Sequence, residues 1–255
     1  MASGPGRAGP RPAGDRPGAA AGLVGTGRAV AHVFVDDLSL PEIGPEDAHH
    51  LSRALRLRPG EVVTASDGRG GVVACEWSPP GQLSPLGPPT FEERPRPELT
   101  VAFALTKGQH PELAVQKLTE AGVDRVVVMT SARCVTRWEP AAQPRQLERL
   151  RTVARQAAMQ SRRPHLPVIE GLVDFAVLAS TEGASLTSPE GAPPSLAHAT
   201  LLVGPEGGWA PEELAAVPRC VSLGPHVLRA ETAAIAAGFV LAALRSGLVL
   251  PATAR

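Results

Sequence analysis

Three stretches of the sequence place chemically capable residues at telling spacings. In the first, Leu201-Leu202-Val203-Gly204-Pro205-Glu206-Gly207-Gly208, an apolar strand runs into a glycine-rich turn, and Pro211 then opens a helix. Glycines at such a turn let the backbone take positive φ and approach a ligand. In an α/β sheet the carboxyl end of a strand is where ligands sit. The spacing is neither GxGxxG nor a Walker loop, and a purely structural turn stays open as the other reading. The second stretch, Leu223-Gly224-Pro225-His226-Val227-Leu228-Arg229-Ala230-Glu231-Thr232-Ala233, again ends a strand at glycine and leads into a helix. Glu231 is favoured at the positive end of that helix, and Glu231 and Thr232 could simply cap it. Arg229 opposes the helix dipole there, so it needs another purpose. The third stretch, Arg145–Arg163, is a helix with an apolar stripe of Leu147, Leu150, Ala154 and Ala157 or Ala158. Arg145, Arg149, Arg151 and Arg155 flank the stripe, with Arg162 and Arg163 beyond them. Such a face suits phosphate contacts or a solvated surface.

The elements that must position these residues fall into two patterns. From Ala31 to Trp77 the chain reads as short strands with tight turns: Ala31–Val35, Glu61–Ser66 and Gly71–Trp77, with a helix from Pro45 to Leu57. That pattern predicts a small β-barrel. Pro79–Pro97 holds seven prolines and reads as a loop or linker. After Pro97, apolar strands Leu99–Ala104, Arg125–Met129, Thr200–Val203 and Cys220–Leu223 alternate with helices Pro111–Ala121, Pro144–Ser161, Pro211–Ala216 and Glu231–Arg245. Alternation of this kind predicts a parallel sheet covered on both faces, and by itself it would be an open doubly wound sheet. Ser180–Ala199 reads as a Ser/Gly/Pro-rich insertion. The division expected is 1–28 as a flexible basic arm, 29–97 as barrel and linker, and 98–250 as the α/β domain. The arm could touch RNA or could be a genomic or start-site accident.

Composition sets limits. The chain has 255 residues, 43% hydrophobic and 20% charged, which suits a globular body of one or two domains. Its 25 basic and 25 acidic residues cancel, so the strongly basic balance of many nucleic-acid binders is missing. Lys107 and Lys117 are the only lysines; a GC-rich genome accounts for most of the arginine excess. Cys75, Cys134 and Cys220 form neither a disulfide framework nor a CxxC pair, and read as reduced thiols of a cytoplasmic protein. No apolar run is long enough to span a membrane, and no histidine spacing suggests a metal.

Several further segments complete a recognisable set. They are His49-His50-Leu51-Ser52-Arg53-Ala54-Leu55-Arg56-Leu57, Asp67-Gly68-Arg69-Gly70-Gly71, Lys107-Gly108, Gln116-Lys117, Thr119-Glu120-Ala121-Gly122-Val123 and Gln160-Ser161. Together with the glycine turn and Leu228-Arg229, Glu231-Thr232-Ala233, and in this order over about residues 30–247, they resemble the RsmE family of SPOUT methyltransferases. Those enzymes methylate N3 of a uridine in 16S ribosomal RNA. The departures are Ala121, where the family usually has Leu, and Trp209-Ala210, where it usually has Phe-Ser. Ala210 forgoes an N-cap hydroxyl.

The resemblance implies an N-terminal PUA-like RNA-binding barrel and a C-terminal α/β domain tied in a trefoil knot, a feature no residue pattern reveals. It implies a homodimer, with the Ala-rich final helix in the interface, acting on the small ribosomal subunit in the cytoplasm with S-adenosylmethionine and no metal. Expected around the donor are Leu202, Gly204, Pro205, Glu206, Gly207, Gly208, Leu223, Gly224, Leu228, Thr232 and Ala233. Arg229 and Glu231 are the expected catalytic pair, and Arg53, Arg56, Arg69, Arg149, Arg155 and Arg163 the expected RNA contacts. Another SPOUT RNA methyltransferase and a non-catalytic ribosome-assembly factor are the alternatives.

Overall fold

A computed structural model describes residues 29–108 and 110–250; the expected arm at 1–28 lies outside them. The barrel is a five-stranded sheet. β1 (Ala31–Phe34) pairs parallel with β2 (Val62–Ser66), which runs antiparallel to β3 (Gly71–Ser78). β3 also pairs with β4 (Gln82–Pro85) and β5 (Thr90–Phe91). The stretch expected to be a plain linker therefore supplies two strands. Proline is tolerated there because β4 is an edge strand, where a missing N–H costs no ladder bond. Val33, Leu51, Val63, Val73, Trp77 and Leu83 fill the barrel core. Pro45 and the acids Glu46 and Asp47 start α1 (Pro45–His49). The expected single helix then changes pitch into a π-turn over His50–Ala54 and stops at Arg56, whose φ is 54°.

The second unit is a six-stranded sheet in which every neighbouring pair is parallel. Its elements in chain order are β6 (Thr100–Ala104), α2 (His110–Ala121), β7 (Arg125–Thr130), α3 (Gln143–Ser161), β8 (Val168–Asp174) and α4 (Phe175–Ala179), then β9 (Ala184–Ala192), β10 (Thr200–Val203), α5 (Pro211–Ala216), β11 (Cys220–Val221) and α6 (Ala230–Arg245). The spatial order is β11-β9-β10-β6-β7-β8. Period-two alternation divides each central strand between two cores. Val101, Phe103, Val126, Val128, Leu201 and Val203 face α2, α3 and α6, whereas Ala102, Ala104, Val127, Met129 and Leu202 face α4 and α5.

Two strands of this sheet also escaped the sequence reading. β9 lies inside the expected insertion, and Leu186 is its only large apolar residue in the sheet, so no hydrophobic run announces it. It is held by backbone pairing to β10 and β11 on either side. β8 carries a bulge, which breaks its alternation. After β11, at the sheet edge, the chain returns so that α6 packs on α2, β6 and β10. That return path is consistent with the trefoil threading of the resemblance.

The two units are bolted together at the end of α3. The Arg155 guanidinium reaches the Asp47 carboxylate at 2.6 and 3.1 Å, donates to the Phe34 carbonyl, and stacks over the Phe34 ring. Ser66 donates to the Pro164 carbonyl and the Leu166 N–H to Gly68. Beneath them Asp124, 1% exposed, takes Arg94, Arg163 and Arg245 around one carboxylate.

Candidate active site

The glycine turn sits where the topology reverses, between β10 and its neighbours β9 and β6. β10 is wholly buried, so the chain emerges from the core at Val203 and turns at once. Gly208 closes the turn with φ +70° and an N–H donated to the Pro205 carbonyl at 2.9 Å. Gly204 is required for a different reason: a Cβ there would stand 3.0 Å from the Trp209 ring. That indole is pinned, since its N–H donates to the Thr187 carbonyl at 3.0 Å and its face meets Phe175 at 5.5 Å.

α5 begins at Ala210, which caps nothing with its side chain, as its residue type requires. The Glu213 carboxylate, 6% exposed, takes over by accepting the Ala210 N–H at 2.8 Å. Its other oxygen accepts the Ala132 N–H at 2.9 Å. Arg133 donates to the Gly207 carbonyl at 3.0 Å. The loop after β7 and the glycine turn are thereby tied together at two points.

The turn forms one wall of a cleft of about 330 Å3. The loop from Leu223 to Ala230 and the start of α6 form the second wall, and Thr187, Ser188 and Pro189 of β9 the third. The third wall arises where the register of β9 against β11 jumps, from Cys220↔Leu186 to Val221↔Ala192. A volume of this size with mostly apolar walls and a few convergent polar groups is a small-molecule seat. A wider groove of about 640 Å3 runs between α2 and α3 past His110, Gln116 and Gln160, but no strand end or glycine turn opens into it.

Of the residues expected around the donor, Gly204, Pro205, Glu206, Gly208, Leu223, Gly224, Leu228 and Ala233 line the cleft. Three do not. Leu202 is fully buried on the α4/α5 face of the sheet, because alternation turns it away when Val203 points the other way. Gly207 faces Arg133, and Thr232 lies exposed outside the walls. The cleft instead recruits Thr187, Ser188, Trp209, Leu214 and His226. Trp209 stood out in the sequence only as a departure from the usual Phe; Thr187 and Ser188 lay in the apparent insertion.

Arg229 is exposed at the N-cap of α6 and has no ion-pair partner among the described residues. Glu231 does not face it. The Glu231 side chain, 11% exposed, points to His110 at the start of α2, with Oε2 3.7 Å from Nδ1. The two therefore do not act as a contacting pair.

The expected RNA contacts divide similarly. Arg53, Arg56 and Arg69 are exposed on the barrel. Arg149 is half exposed and pairs with Glu112 at 3.0 Å. Arg155 and Arg163 are corrections to the expectation. Arg155 is committed to Asp47 and Phe34 across the junction. Arg163 donates to Asp124 and to the Thr119 and Val123 carbonyls, and burial pushes its guanidinium down to about 10. A guanidinium buried against carbonyls and a carboxylate is not presented to a phosphate at the surface.

Among the described residues no helix is long and apolar enough to cross a membrane, and no cluster of three His, Cys, Asp or Glu residues could hold a metal. Burial raises the Cys134 thiol above its ordinary range, which keeps it neutral and a poor nucleophile.

A parallel sheet with a glycine-walled cleft at its carboxyl edge, joined to a small barrel, is the architecture of an RNA methyltransferase. Residues 92–242 match the RNA methyltransferase domain family and residues 43–77 the RNA methyltransferase PUA domain. The chain is 36% identical over 236 residues to the ribosomal RNA small subunit methyltransferase E of Mycobacterium tuberculosis, covering 82% of this chain and 90% of that protein. The Bacillus subtilis protein of the same name is 26% identical, covering 74% of this chain and 84% of that one. This chain belongs to the ribosomal RNA small subunit methyltransferase E family. Its fold matches the crystal structure of a probable rRNA-methyltransferase from Porphyromonas gingivalis, with TM-score 0.72 and 26% identity over 86% of this chain and 100% of that one. It also matches the Neisseria gonorrhoeae small subunit methyltransferase E bound to S-adenosyl methionine, with TM-score 0.72 and 23% identity over 85% and 97%.

Proposed function

We propose that this protein methylates N3 of a uridine in the 16S RNA of the small ribosomal subunit, in the cytoplasm, with S-adenosylmethionine as donor. The observation that carries the reading is the cleft in which the glycine turn, the start of α6 and Thr187–Pro189 converge. S-adenosylmethionine supplies, when bound, a methyl group activated by a cationic sulfur. The residues present fit that donor. Leu223, Leu228, Ala233 and Trp209 offer apolar walls to a flat purine. Gly204, Gly208 and Gly224 carry no side chain, so the backbone there can lie close against the donor. The hydroxyls of Thr187 and Ser188 suit sugar hydroxyls, and the Glu206 carboxylate suits a cation.

The acceptor is an imide nitrogen that must give up its proton to solvent water before it can attack. Arg229 stabilises the negative charge that this leaves on the uridine carbonyl oxygens, acting as a fixed charge and not as a base. Glu231 is a positioning residue: by holding His110 it fixes the start of α6, and with it the backbone of Arg229. Arg53, Arg56 and Arg69 on the barrel and Arg149 on α3 contact RNA phosphates. The functional division is 29–97 for RNA binding and linkage and 98–250 for methyl transfer, with 1–28 as an accessory arm. The protein works as a homodimer through the outward side of α6 and the residues after it, where Phe239, Leu248 and Leu250 are 48%, 81% and 85% exposed.

The test is to map N3-methyluridine in 16S RNA from a strain lacking the gene, complemented with the parent or with Arg229→Ala. The parent restores one modified uridine. Arg229→Ala lowers the methyl-transfer rate about 10²-fold or more while donor affinity holds. No difference between the deletion strain and the parent refutes the activity; parallel collapse of donor affinity in Arg229→Ala refutes the role of Arg229.

A further inference from the structure

The groove of about 640 Å3 between α2 and α3 has no part in holding the donor. Its two ends lie beside the two functional units. At one end His110 stands 3.7 Å from Glu231, and the residue before Glu231, Ala230, lines the donor cleft. At the other end Gln160 lies shortly before Pro164, whose carbonyl accepts the Ser66 hydroxyl of the barrel. From Arg149 to Gln160, α3 rises about 16 Å. RNA held by the barrel can therefore reach the edge of the donor cleft along this groove.

The groove combines neutral polar rims with an apolar floor. Arg149, Val153, Gln156 and Gln160 recur every three or four residues, so they share one face of α3. Leu113 and Gln116 face them from α2. Leu113 is 41% exposed, an apolar side chain that the fold leaves uncovered. Gln156 and Gln160 are exposed and Gln116 is partly so. None of the three amides makes a side-chain hydrogen bond among the described residues, and each offers an acceptor oxygen and an NH2 group. Arg149 is held through one nitrogen: its Nε lies 3.0 Å from the Glu112 carboxylate, while the side chain stays 54% exposed. Its terminal NH2 groups have no partner among the described residues. Elsewhere on α3 the exposed side chains are the ordinary solvated kind, as where Arg151 pairs with Glu148 at 3.5 Å. The segments Gln116-Lys117 and Gln160-Ser161, singled out in the sequence, are unused by the donor cleft.

We propose that this groove holds the single-stranded RNA next to the target uridine, with the Gln116, Gln156 and Gln160 amides on base edges, Leu113 and Val153 beneath base faces, and Arg149 on a phosphate. The inference rests on the RNA-methyltransferase reading above and adds the seat of the flanking nucleotides to it; the uridine oxygens stay with Arg229. An unpaired base has flat apolar faces and a polar rim, and single-stranded RNA is recognised through both. The groove presents the complementary pattern. Taking the target base out of its stack also strips its neighbours of a stacking partner, so they gain from an apolar surface to lie on. A glutamine amide sets a donor beside an acceptor, and the base it holds with two bonds is adenine, through its amino group and a ring nitrogen. Adenine is therefore the favoured neighbour. Neutral amides in place of a basic stripe also agree with a chain whose formal charges cancel.

The experiment uses the full-length protein and its Gln116→Leu, Gln156→Ala, Gln160→Ala and Arg149→Gln variants. Gln156 and Gln160 are exposed on a helix, where alanine is the better helix former, so those two variants keep the fold. Thermal melts and light scattering check folding and oligomeric state, and calorimetry reads donor affinity. Fluorescence anisotropy of labelled single-stranded oligoadenylate, against oligouridylate and at several salt concentrations, gives a readout independent of turnover. Methyl transfer is read as kcat and KM on small subunits from a strain lacking the gene. The parent should bind oligoadenylate more tightly. Each glutamine variant should raise the oligoadenylate Kd about 2- to 10-fold, the scale of one lost hydrogen-bonding group, and oligouridylate less. KM should rise with it, while kcat and donor affinity stay within about twofold. Arg149→Gln should weaken both RNAs equally and lower the salt slope by about one. Parental Kd and KM in all four variants overturn the proposal, as does a parent without preference or an equal loss on both RNAs in the glutamine variants. So does loss of donor affinity in step with KM, which would make these residues structural, or dissociation of a dimer in step with it, which would make the groove a contact between copies. If the parent itself neither binds donor nor methylates RNA, the reading under Proposed function fails, and the oligoadenylate titration still decides this one.

Discussion

Adding one methyl group at Gly204 should disable the donor cleft. An ideal Cβ at that position stands 3.0, 3.2 and 3.3 Å from Cε2, Cδ2 and Cζ2 of Trp209, whereas comfortable carbon contacts begin near ~3.5 Å. The indole has nowhere to retreat. Moving it stretches the bond to the Thr187 carbonyl and breaks its packing on Phe175. Overpacking of a held side chain costs about 1–3 kcal/mol. Because Trp209 and Thr187 are themselves cleft walls, that cost appears in binding, and Gly204→Ala should weaken S-adenosylmethionine about 5- to 150-fold. Gly207→Ala is the matched control. Its Cβ would meet only the Arg133 side chain and carbonyl at 3.4 Å or more, and its backbone needs no positive φ, so affinity should change about twofold or less. Calorimetric titration of the donor, with thermal unfolding of each variant, measures both. Equal losses at the two positions, or parental affinity in Gly204→Ala, would refute the reasoning, because only Gly204 touches the pinned indole.

Two further outcomes follow from packing and exposure. Asp124→Ala strands three arginines around a site that is 1% exposed; it should destabilise the protein by about 3–5 kcal/mol, and a Tm within a degree or two of the parent would mean that the cluster contributes nothing. Phe239→Glu places a charge on the outward side of α6, where Phe239 is 48% exposed. It should convert a dimer to monomer by light scattering without altering the melting of the monomer, and a parent that is already monomeric would remove the α6 interface.

How much was legible beforehand varies element by element. The elements whose apolar residues keep a clean period were readable. β10, α5, α6 and the helix carrying Arg149 fall within about two residues of where alternation, Pro211 and the glycines place them, because those signals are local. The glycine turn and the loop before α6 were also visible, since positive φ and close approach demand glycine at defined positions. β9 was not visible: its hold on the sheet comes from backbone bonds to β10 and β11, which leave no mark on residue type. Thr187 and Ser188, carried on it, were lost with it.

Side-chain direction was decided by the tertiary structure alone. Leu202 and Val203 are neighbours in sequence, yet strand alternation sends one into the α4/α5 core and the other to the cleft. Arg149, Arg155 and Arg163 share one stretch of sequence, and only packing makes Arg155 a bolt to Asp47 of the barrel and buries Arg163 on Asp124 within its own unit. Glu231 follows Arg229 by two positions, but the helix turns it to His110. The sequence thus determined the residue types, the local turns and the order of the elements. Which groups meet was settled by long-range contacts between segments up to 150 residues apart, and no local signal encodes a partner at that distance.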